Sequence, residues 1–329
     1  MKAVYIKEFG GVENLETSEV ADPPQPKGCE VLARVKAAGL NRADILQRMG
    51  LYPPPVGYPE RIPGLEFAGV IEAVGDDVKN CKIGARVFGI TAGGAQAELL
   101  LTREDQLAEI PDNLNFQEAA AVPEAFITAH DALFTQAQLQ KGETLLIHAV
   151  GSGVGLAGLQ LAKAVGAKVI GTSRTKEKLD RGAEFGLDNS IIVEGGTDIP
   201  GIVKEITGGK GADVILDLVG AKYFGANLKS LAAKGRLMLV GLTAGRKAEF
   251  DLGLALAKRA TIKGTVLRSR DGQEKASATA KFTEAVLPLL SSGKIKPNLD
   301  RVFALLQARA AHEYLESNAS FGKVVLDLL

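Results

Sequence analysis

The stretch "HAVGSGVG", residues 148–155, follows the apolar run "ETLLI" and precedes "LAGLQLAKAVGAK", whose apolar residues keep a helical spacing. Small residues between a strand and a helix let backbone N–H groups close on an anion at the helix N-terminus. That chemistry holds the pyrophosphate of a dinucleotide. A literal G-x-G-x-x-G runs from Gly153 to Gly158, but it begins too late for the role. The end of the strand sets the register over Val150, Gly151, Ser152, Gly153, Val154 and Gly155, with Ser152 in the place of the middle glycine. Glycine turns also form for packing alone, so the loop by itself leaves both readings open.

A second site lies at the end of the next strand, "KVIGTSRTKEK". Enzymes that use NAD carry an Asp or Glu there, about 20 residues past the glycines, to bind the ribose hydroxyls. This chain has Ser173 and Arg174, with Lys178 one helical turn onward. No carboxylate repels a 2′-phosphate and two cations attract one, so the pattern predicts NADPH. The competing reading is a solvated helix start with ordinary charges. Val240 and Gly241, which end "RLMLV", should face the same cofactor at the carboxyl edge of the sheet.

These residues need a scaffold, and from about Thr144 the pattern supplies one. Strand-like runs "TLLIHA", "KVIGT", "SIIV", "DVILD", "RLMLV" and "TIKGTV" alternate with helical stretches. That alternation predicts a doubly wound parallel sheet of six strands, buried on both faces and so continuously apolar. Leu156, Leu159, Leu161 and Val165 keep the apolar face of its first helix, with Gly166 as the stop, and Thr175 is placed to cap the second. Residues 1–124 instead read as short strands ("EVLARVKAAGL", "EFAGVIEAVG", "GARVFGI") between polar turns, around the loop "YPPPVGYPERIPG". After about Arg268 come helices and a last strand, "GKVVLDLL", which has no place in a six-stranded sheet and is expected back in the first domain. The expected division is 1–124, 125–267 and 268–329, the last a return to the first.

The chain has 329 residues, 39 Lys+Arg and 39 Asp+Glu, so nothing in its charge points to nucleic acid or an anionic membrane. Its start, "MKAVYIKEFGG", lacks the apolar core of a signal peptide, and no apolar run is long enough to span a bilayer. Cys29 and Cys81 are too few for a disulfide framework or a Cys-rich zinc site. A cytoplasmic protein is expected.

The chain resembles the medium-chain dehydrogenase/reductase superfamily, and within it the NADPH:quinone oxidoreductases of the stress-induced animal type and their bacterial relatives. The residues that carry the resemblance are "AAGLNRADILQRMGLYPPP", "PGLEFAGVIEAVG", "AAAVPEAFITAHDAL", "HAVGSGVG" and "LRSRD", spread over nearly the whole length in family order. The resemblance implies a GroES-like β-rich catalytic domain plus a Rossmann domain, and homodimers that pair Rossmann edge strands, here "TIKGTVL". Zinc-dependent members hold their metal with two Cys and a His. At the matching positions stand Asn41, Leu65 and Glu124, and the four-cysteine structural lobe is missing, which implies no metal.

Several further residues take their expected roles from the resemblance. Tyr52 would line the nicotinamide and acceptor cleft, stacking on the acceptor or donating its hydroxyl, or else plug a proline-rich loop. Asn41 would line the same cleft with Asp44, although Asp44 in a helix starting near Ile45 is also a natural cap. Ser152 would bond a phosphate or help orient Tyr52, or simply fill a tight turn. Thr128 would meet the nicotinamide amide, and the "VLRSR" segment, with Leu267 and Ser269, would pass under the ring; its arginines fit interdomain ion pairs equally well. His148 reads as a hydrogen-bonded core residue. No side chain is assigned as general acid or base, and the proton can come from water.

The implied reaction is metal-free hydride transfer from NADPH to a quinone or conjugated carbonyl, because such acceptors delocalise incoming charge themselves. Two alternatives stand beside it. One is a zinc-free enone or alkenal double-bond reductase. The other is an NADPH-binding structural or RNA-binding protein of the crystallin kind, which the balanced charge disfavours.

Overall fold

The computed structural model describes residues 1–328. They divide into two compact units, residues 1–127 with 267–329, and residues 128–266.

The first unit is β-rich. Strands β1 (Lys2–Ile6) and β2 (Leu15–Glu19) form a hairpin pair of their own. They precede β3 (Glu30–Gly39), helix α1 (Arg42–Arg48), β4 (Glu66–Val74), β5 (Arg86–Ile90), β6 (Leu99–Arg103), β7 (Leu107–Glu109), α2 (Phe116–Ala120) and α3 (Pro123–His130). β3 is the spine of this sheet, pairing antiparallel with both β4 and β6. Val31, Ala33, Val35, Phe67, Ile71 and Val87 fill the core between the layers. Gly69 and Gly89 permit close packing here, because a Cβ on either would meet a carbonyl oxygen at 2.3 Å.

Helix α1 starts at Arg42, with Asn41 as its N-cap, three residues before the start near Ile45 expected from the sequence. Asp44 therefore sits inside the first turn, where its Oδ2 accepts from the Asn41 N–H at 2.8 Å. Asn and Asp are equally good caps by type, and the chain's second demand decides between them. Asp44 Oδ1 is needed to accept from Gly64 N at 3.0 Å.

The second unit holds β8 (Thr144–Ile147), α4 (Gly153–Ala164), β9 (Lys168–Ser173), α5 (Lys176–Ala183), β10 (Asn189–Ile192), α6 (Ile199–Ile206), β11 (Ala212–Asp217), α7 (Ala221–Ser230), β12 (Leu231–Leu239), α8 (Leu252–Lys258) and β13 (Thr261–Gly264). The six strands pair in parallel in the order β10-β9-β8-β11-β12-β13. This is the doubly wound sheet that the alternating pattern predicts. β8 and β11, at its centre, are buried along their whole length, as strands covered on both faces must be. Thr175 is the N-cap of α5 as expected. Past α4, Gly166 takes φ +81°, the left-handed stop that glycine adopts without strain.

Back in the first unit, α9 (Gly272–Ala285), α10 (Leu287–Ser291), β14 (Leu299–Ala304), α11 (Ala308–Glu316) and β15 (Lys323–Asp327) follow. β15 pairs antiparallel with β3 and parallel with β14.

A buried polar chain crosses the carboxyl edge of the six-stranded sheet. Thr172 Oγ1 lies 3.0 Å from His148 Nδ1, and His148 Nε2 lies 2.6 Å from Asn227 Oδ1. Asn227 Nδ2 donates to Asp217 Oδ2 at 2.9 Å. Because the Asn227 amide donates to the carboxylate, its oxygen must accept, which places the imidazole proton on Nε2 and makes Thr172 the donor to Nδ1. Burial pushes the His148 pKa down, so the ring stays neutral, the hydrogen-bonded core histidine that its place in the strand suggests. Asp217 Oδ1 accepts from the N–H groups of Val219 and Gly220, so the chain also shapes the loop after β11. Asn227→Leu would strand both Asp217 Oδ2 and the His148 N–H in a dry interior. We expect a loss of about 2–4 kcal/mol of stability, read as a lower urea midpoint at constant slope. An unchanged midpoint would show that the chain is dispensable.

Candidate active site

In the β-rich unit the chemistry gathers around Glu66, the first residue of β4 and fully buried. Its Oε1 accepts from Asn41 Nδ2 at 2.8 Å and pairs with Lys323 Nζ at 2.5 Å, and its Oε2 accepts from the Glu124 N–H at 2.8 Å. Lys323 Nζ also donates to Leu40 O at 2.7 Å and Asn41 Oδ1 at 2.8 Å. Both polar atoms of Asn41 are therefore occupied. Gly39 makes room for this arrangement, since a Cβ there would overlap the Glu66 carboxylate at 2.5 Å.

Two further carboxyls border the cluster. Burial raises Asp44 to about 6, despite bonds from two backbone N–H groups that pull the other way. Burial first, and the Glu66 charge second, raise Glu124 to about 8, so its carboxyl is largely protonated at neutral pH.

The loop carrying Tyr52 is held by Arg268, which is 3% exposed. Arg268 Nε donates to Ala92 O at 2.8 Å, Nη1 to Tyr52 O at 2.9 Å, and Nη2 to Gln47 Oε1. The guanidinium lies 4.9 Å from the Tyr52 ring centroid. Arg268 thus spends its donors on neutral oxygens of its own unit. Leu267 is buried beside it and Ser269 is exposed. Burial pushes the Tyr52 phenol upward, so it remains protonated.

In the sheet unit, the loop from β8 turns sharply through Ala149, at φ +52°. Ser152 caps α4, its Oγ accepting from Gly155 N at 3.1 Å. Gly155 has no room for a side chain, because a Cβ would meet Ala149 O and Val150 O at 2.7 Å. Val150 N is paired with Thr172 O. The N–H groups of Gly151, Gly153 and Val154 make no backbone hydrogen bond among the described residues. At the end of β9, Ser173 is buried with its Oγ accepting from Thr175 N at 3.2 Å, while Arg174 is exposed and makes no hydrogen bond or ion pair among the described residues. Lys178 is half-buried on α5. Val240 and Gly241 turn away after β12, both N–H groups bound to Asp217 O. Thr128 is half-buried on α3.

The residues named from the sequence therefore fall into two sets. Asn41, Tyr52, Leu267 and Ser269 belong to the β-rich unit, and Thr128, the loop 150–155, Ser173, Arg174, Lys178, Val240 and Gly241 to the sheet unit. Sequence reasoning missed Glu66 and Lys323, and it weighed Arg268 only as one of the arginines of "VLRSR". A usable signal was present in the first two, an acid in "PGLEFAGV" and a base in "GKVVLDLL", each opening a mainly apolar strand.

A β-rich unit joined to a parallel six-stranded sheet with a glycine loop defines a medium-chain dehydrogenase/reductase. Residues 27–112 match the alcohol dehydrogenase GroES-like domain, and residues 153–285 match the family described as zinc-binding dehydrogenase. The chain is 33% identical to the quinone oxidoreductase of Rattus norvegicus, over 99% of its own length and 97% of that protein. It is 34% identical to a quinone oxidoreductase of Pseudomonas aeruginosa, over 99% of each. Among solved structures, the Escherichia coli quinone oxidoreductase complexed with NADPH is similar at TM-score 0.88 and 31% identity, covering both chains fully. The chain belongs to the quinone oxidoreductase family of this superfamily.

The residues that the resemblance matches to zinc ligands, Asn41, Leu65 and Glu124, do not fit a zinc ion. Leu65 has no donor atom, and both polar atoms of Asn41 are already bonded, Nδ2 to Glu66 and Oδ1 to Lys323. Lys323→Met would leave the Glu66 carboxylate buried without its cation. We expect a loss of about 3–5 kcal/mol in denaturant unfolding, largely recovered in the double variant Lys323→Met/Glu66→Gln. A double variant as unstable as the single one would refute the pairing.

Proposed function

We propose that the protein is an NADPH-dependent quinone oxidoreductase that transfers hydride to a quinone-type acceptor without a metal. The observation that carries this reading is the full-length similarity to proteins named quinone oxidoreductase, at 33–34% identity over 99% of the chain. NADPH supplies the hydride. The chain's own residues bind and orient. The N–H groups of Gly151, Gly153 and Val154, which have no backbone partner among the described residues, suit a pyrophosphate, with Ser152 pinning the loop. Arg174, assisted by Lys178, suits a 2′-phosphate, and Ser173 leaves no competing charge. Val240, Gly241 and Thr128 are assigned to the cofactor, as are Leu267 and Ser269. Tyr52, fixed by Arg268, is assigned to the acceptor, and Asn41 positions Glu66 and Lys323. The free thiols of Cys29 and Cys81 suit a reducing cytoplasm.

The enzyme is further proposed to work as a homodimer. β13 is an edge strand, and the adjoining α8 buries none of its residues, with Leu252 72% and Leu256 79% exposed. An apolar helix beside an open strand edge is an association surface. Sedimentation at micromolar concentration should show a dimer, and Leu252→Glu/Leu256→Glu should shift it to monomer. A monomeric wild type would rule the assembly out.

The cofactor assignment is tested by steady-state kinetics with a quinone panel. Arg174→Ala should raise the KM for NADPH about tenfold and leave that for NADH nearly unchanged. Ser173→Asp should exclude NADPH more strongly by direct repulsion. Chelators should not reduce turnover. Equal use of both cofactors by the wild type, or an equal loss with both in Arg174→Ala, would overturn this reading of β9.

A further inference from the structure

Three of the polar atoms sealed inside the β-rich unit make no hydrogen bond among the described residues and belong to neighbouring side chains. His312, on α11, is fully buried with its Nδ1 unpartnered. Its Nε2 lies 3.4 Å from Oε1 of Gln96, which is also fully buried and whose own Nε2 is unpartnered. The third atom is Nη1 of Arg48, the last residue of α1 and 1% exposed. The rest of that guanidinium is held, Nε by Gly10 O at 3.2 Å and Nη2 by Glu316 Oε2 at 2.9 Å. Glu316 follows His312 by one turn of α11, so the two side chains rise from one face with about 5–6 Å between their Cβ atoms. A guanidinium bound to the first therefore stands beside the second, and the Arg48 charge is felt at the His312 ring.

The hydrogens of these groups decide what fits among them. Arg48 Nη1 can only donate. With the Gln96 amide as placed, its Oε1 accepts from the His312 Nε2–H, which leaves Gln96 Nε2 as a second donor and His312 Nδ1 as an acceptor. With the amide turned over, Gln96 Nε2 donates to His312 Nε2, His312 Nδ1 carries the proton, and Gln96 Oε1 becomes the acceptor. Either way two donors and one acceptor are left. The ring is neutral in both arrangements, because burial first and the Arg48 charge second push its pKa down to about 3. An anion would face the remaining lone pair, and a cation would face the guanidinium. Water accepts two hydrogen bonds and returns one, and buried waters make about three to groups that would otherwise go unmatched.

We propose that Arg48, Gln96 and His312 form a binding site for one internal water molecule. The water accepts from Arg48 and from one of the other two side chains, and donates to the lone pair of the third. The site lies wholly within the β-rich unit and stands apart from the quinone-reductase reading. It joins three parts of the chain that are each anchored elsewhere. The Gly10 N–H donates to Arg48 O at 2.9 Å, the Val4 N–H to Gln96 O at 2.8 Å, and the Gln96 N–H to Pro63 O at 3.0 Å. The water thus ties the end of α1 to α11 and to the loop before β6. The Tyr52 loop leaves from that same helix end, with the Tyr52 N–H on Leu46 O at 3.2 Å.

Two measurements on the full-length protein test the site. Wild-type crystals soaked in sodium bromide should show one density peak about 2.7–3.2 Å from all three atoms, without the anomalous signal of bromide. No peak there, or direct pairing of the three side chains, overturns the proposal. An anomalous peak overturns it too, by making the site one for an anion. In solution, oxygen-17 magnetic relaxation dispersion counts long-lived internal waters. The double variant Gln96→Leu/His312→Phe removes the acceptor in either setting of the amide, and it should hold one such water fewer than the wild type. An equal count in a variant that still unfolds cooperatively overturns the proposal. The wild-type crystals decide alone if the double variant does not fold.

Discussion

The Lys323 ammonium on Glu66 is the interaction on which the β-rich unit depends. One carboxylate, buried at the start of β4, draws in the last strand through Lys323, the entry to α1 through Asn41, and the start of α3 through the Glu124 N–H. An isolated carboxylate in such a place would be prohibitively unstable. Here each oxygen is satisfied, and the ammonium is shared with Leu40 O and Asn41 Oδ1. Removing one partner leaves a worse state than removing both, which is the signature of a buried pair that fixes geometry more than it adds net stability. Elements far apart in sequence are thereby held at one point.

The sheet unit solves a similar problem with neutral groups. The chain from Thr172 through His148 and Asn227 to Asp217 joins β9, β8, α7 and β11 just beneath the loop that follows β8. Only its far end is charged, and that carboxylate also accepts two backbone N–H groups. The result is a rigid carboxyl edge, which preorganised phosphate binding requires. Ser152, capping α4 from within the loop, extends the same rigidity to the glycine turn.

Much of this architecture was legible in the sequence, for a physical reason. Strands covered on both faces must be apolar throughout, and β8 and β11 announce themselves that way. The glycine turn and the cap at Thr175 are local signals, so they too could be read. The start of α1 could not, because Asn41 and Asp44 are equal candidates until Gly64 N claims one carboxylate oxygen. Glu66 and Lys323 escaped notice, and Arg268 was weighed only for an ion pair, because their meaning lies in contacts across long separations. A charged residue opening an apolar strand is a faint mark, and it becomes informative only when paired with an opposite charge elsewhere.

The choice of acceptor follows from how these cations are spent. A metal polarises a carbonyl because an open coordination position takes the oxygen's electron pair. Lys323 is cancelled by Glu66, and Arg268 is committed to three oxygens of the protein, so neither has charge in reserve for a substrate. On the proposed reading, a site so equipped suits an acceptor that is already electron-poor and spreads incoming charge over its own ring.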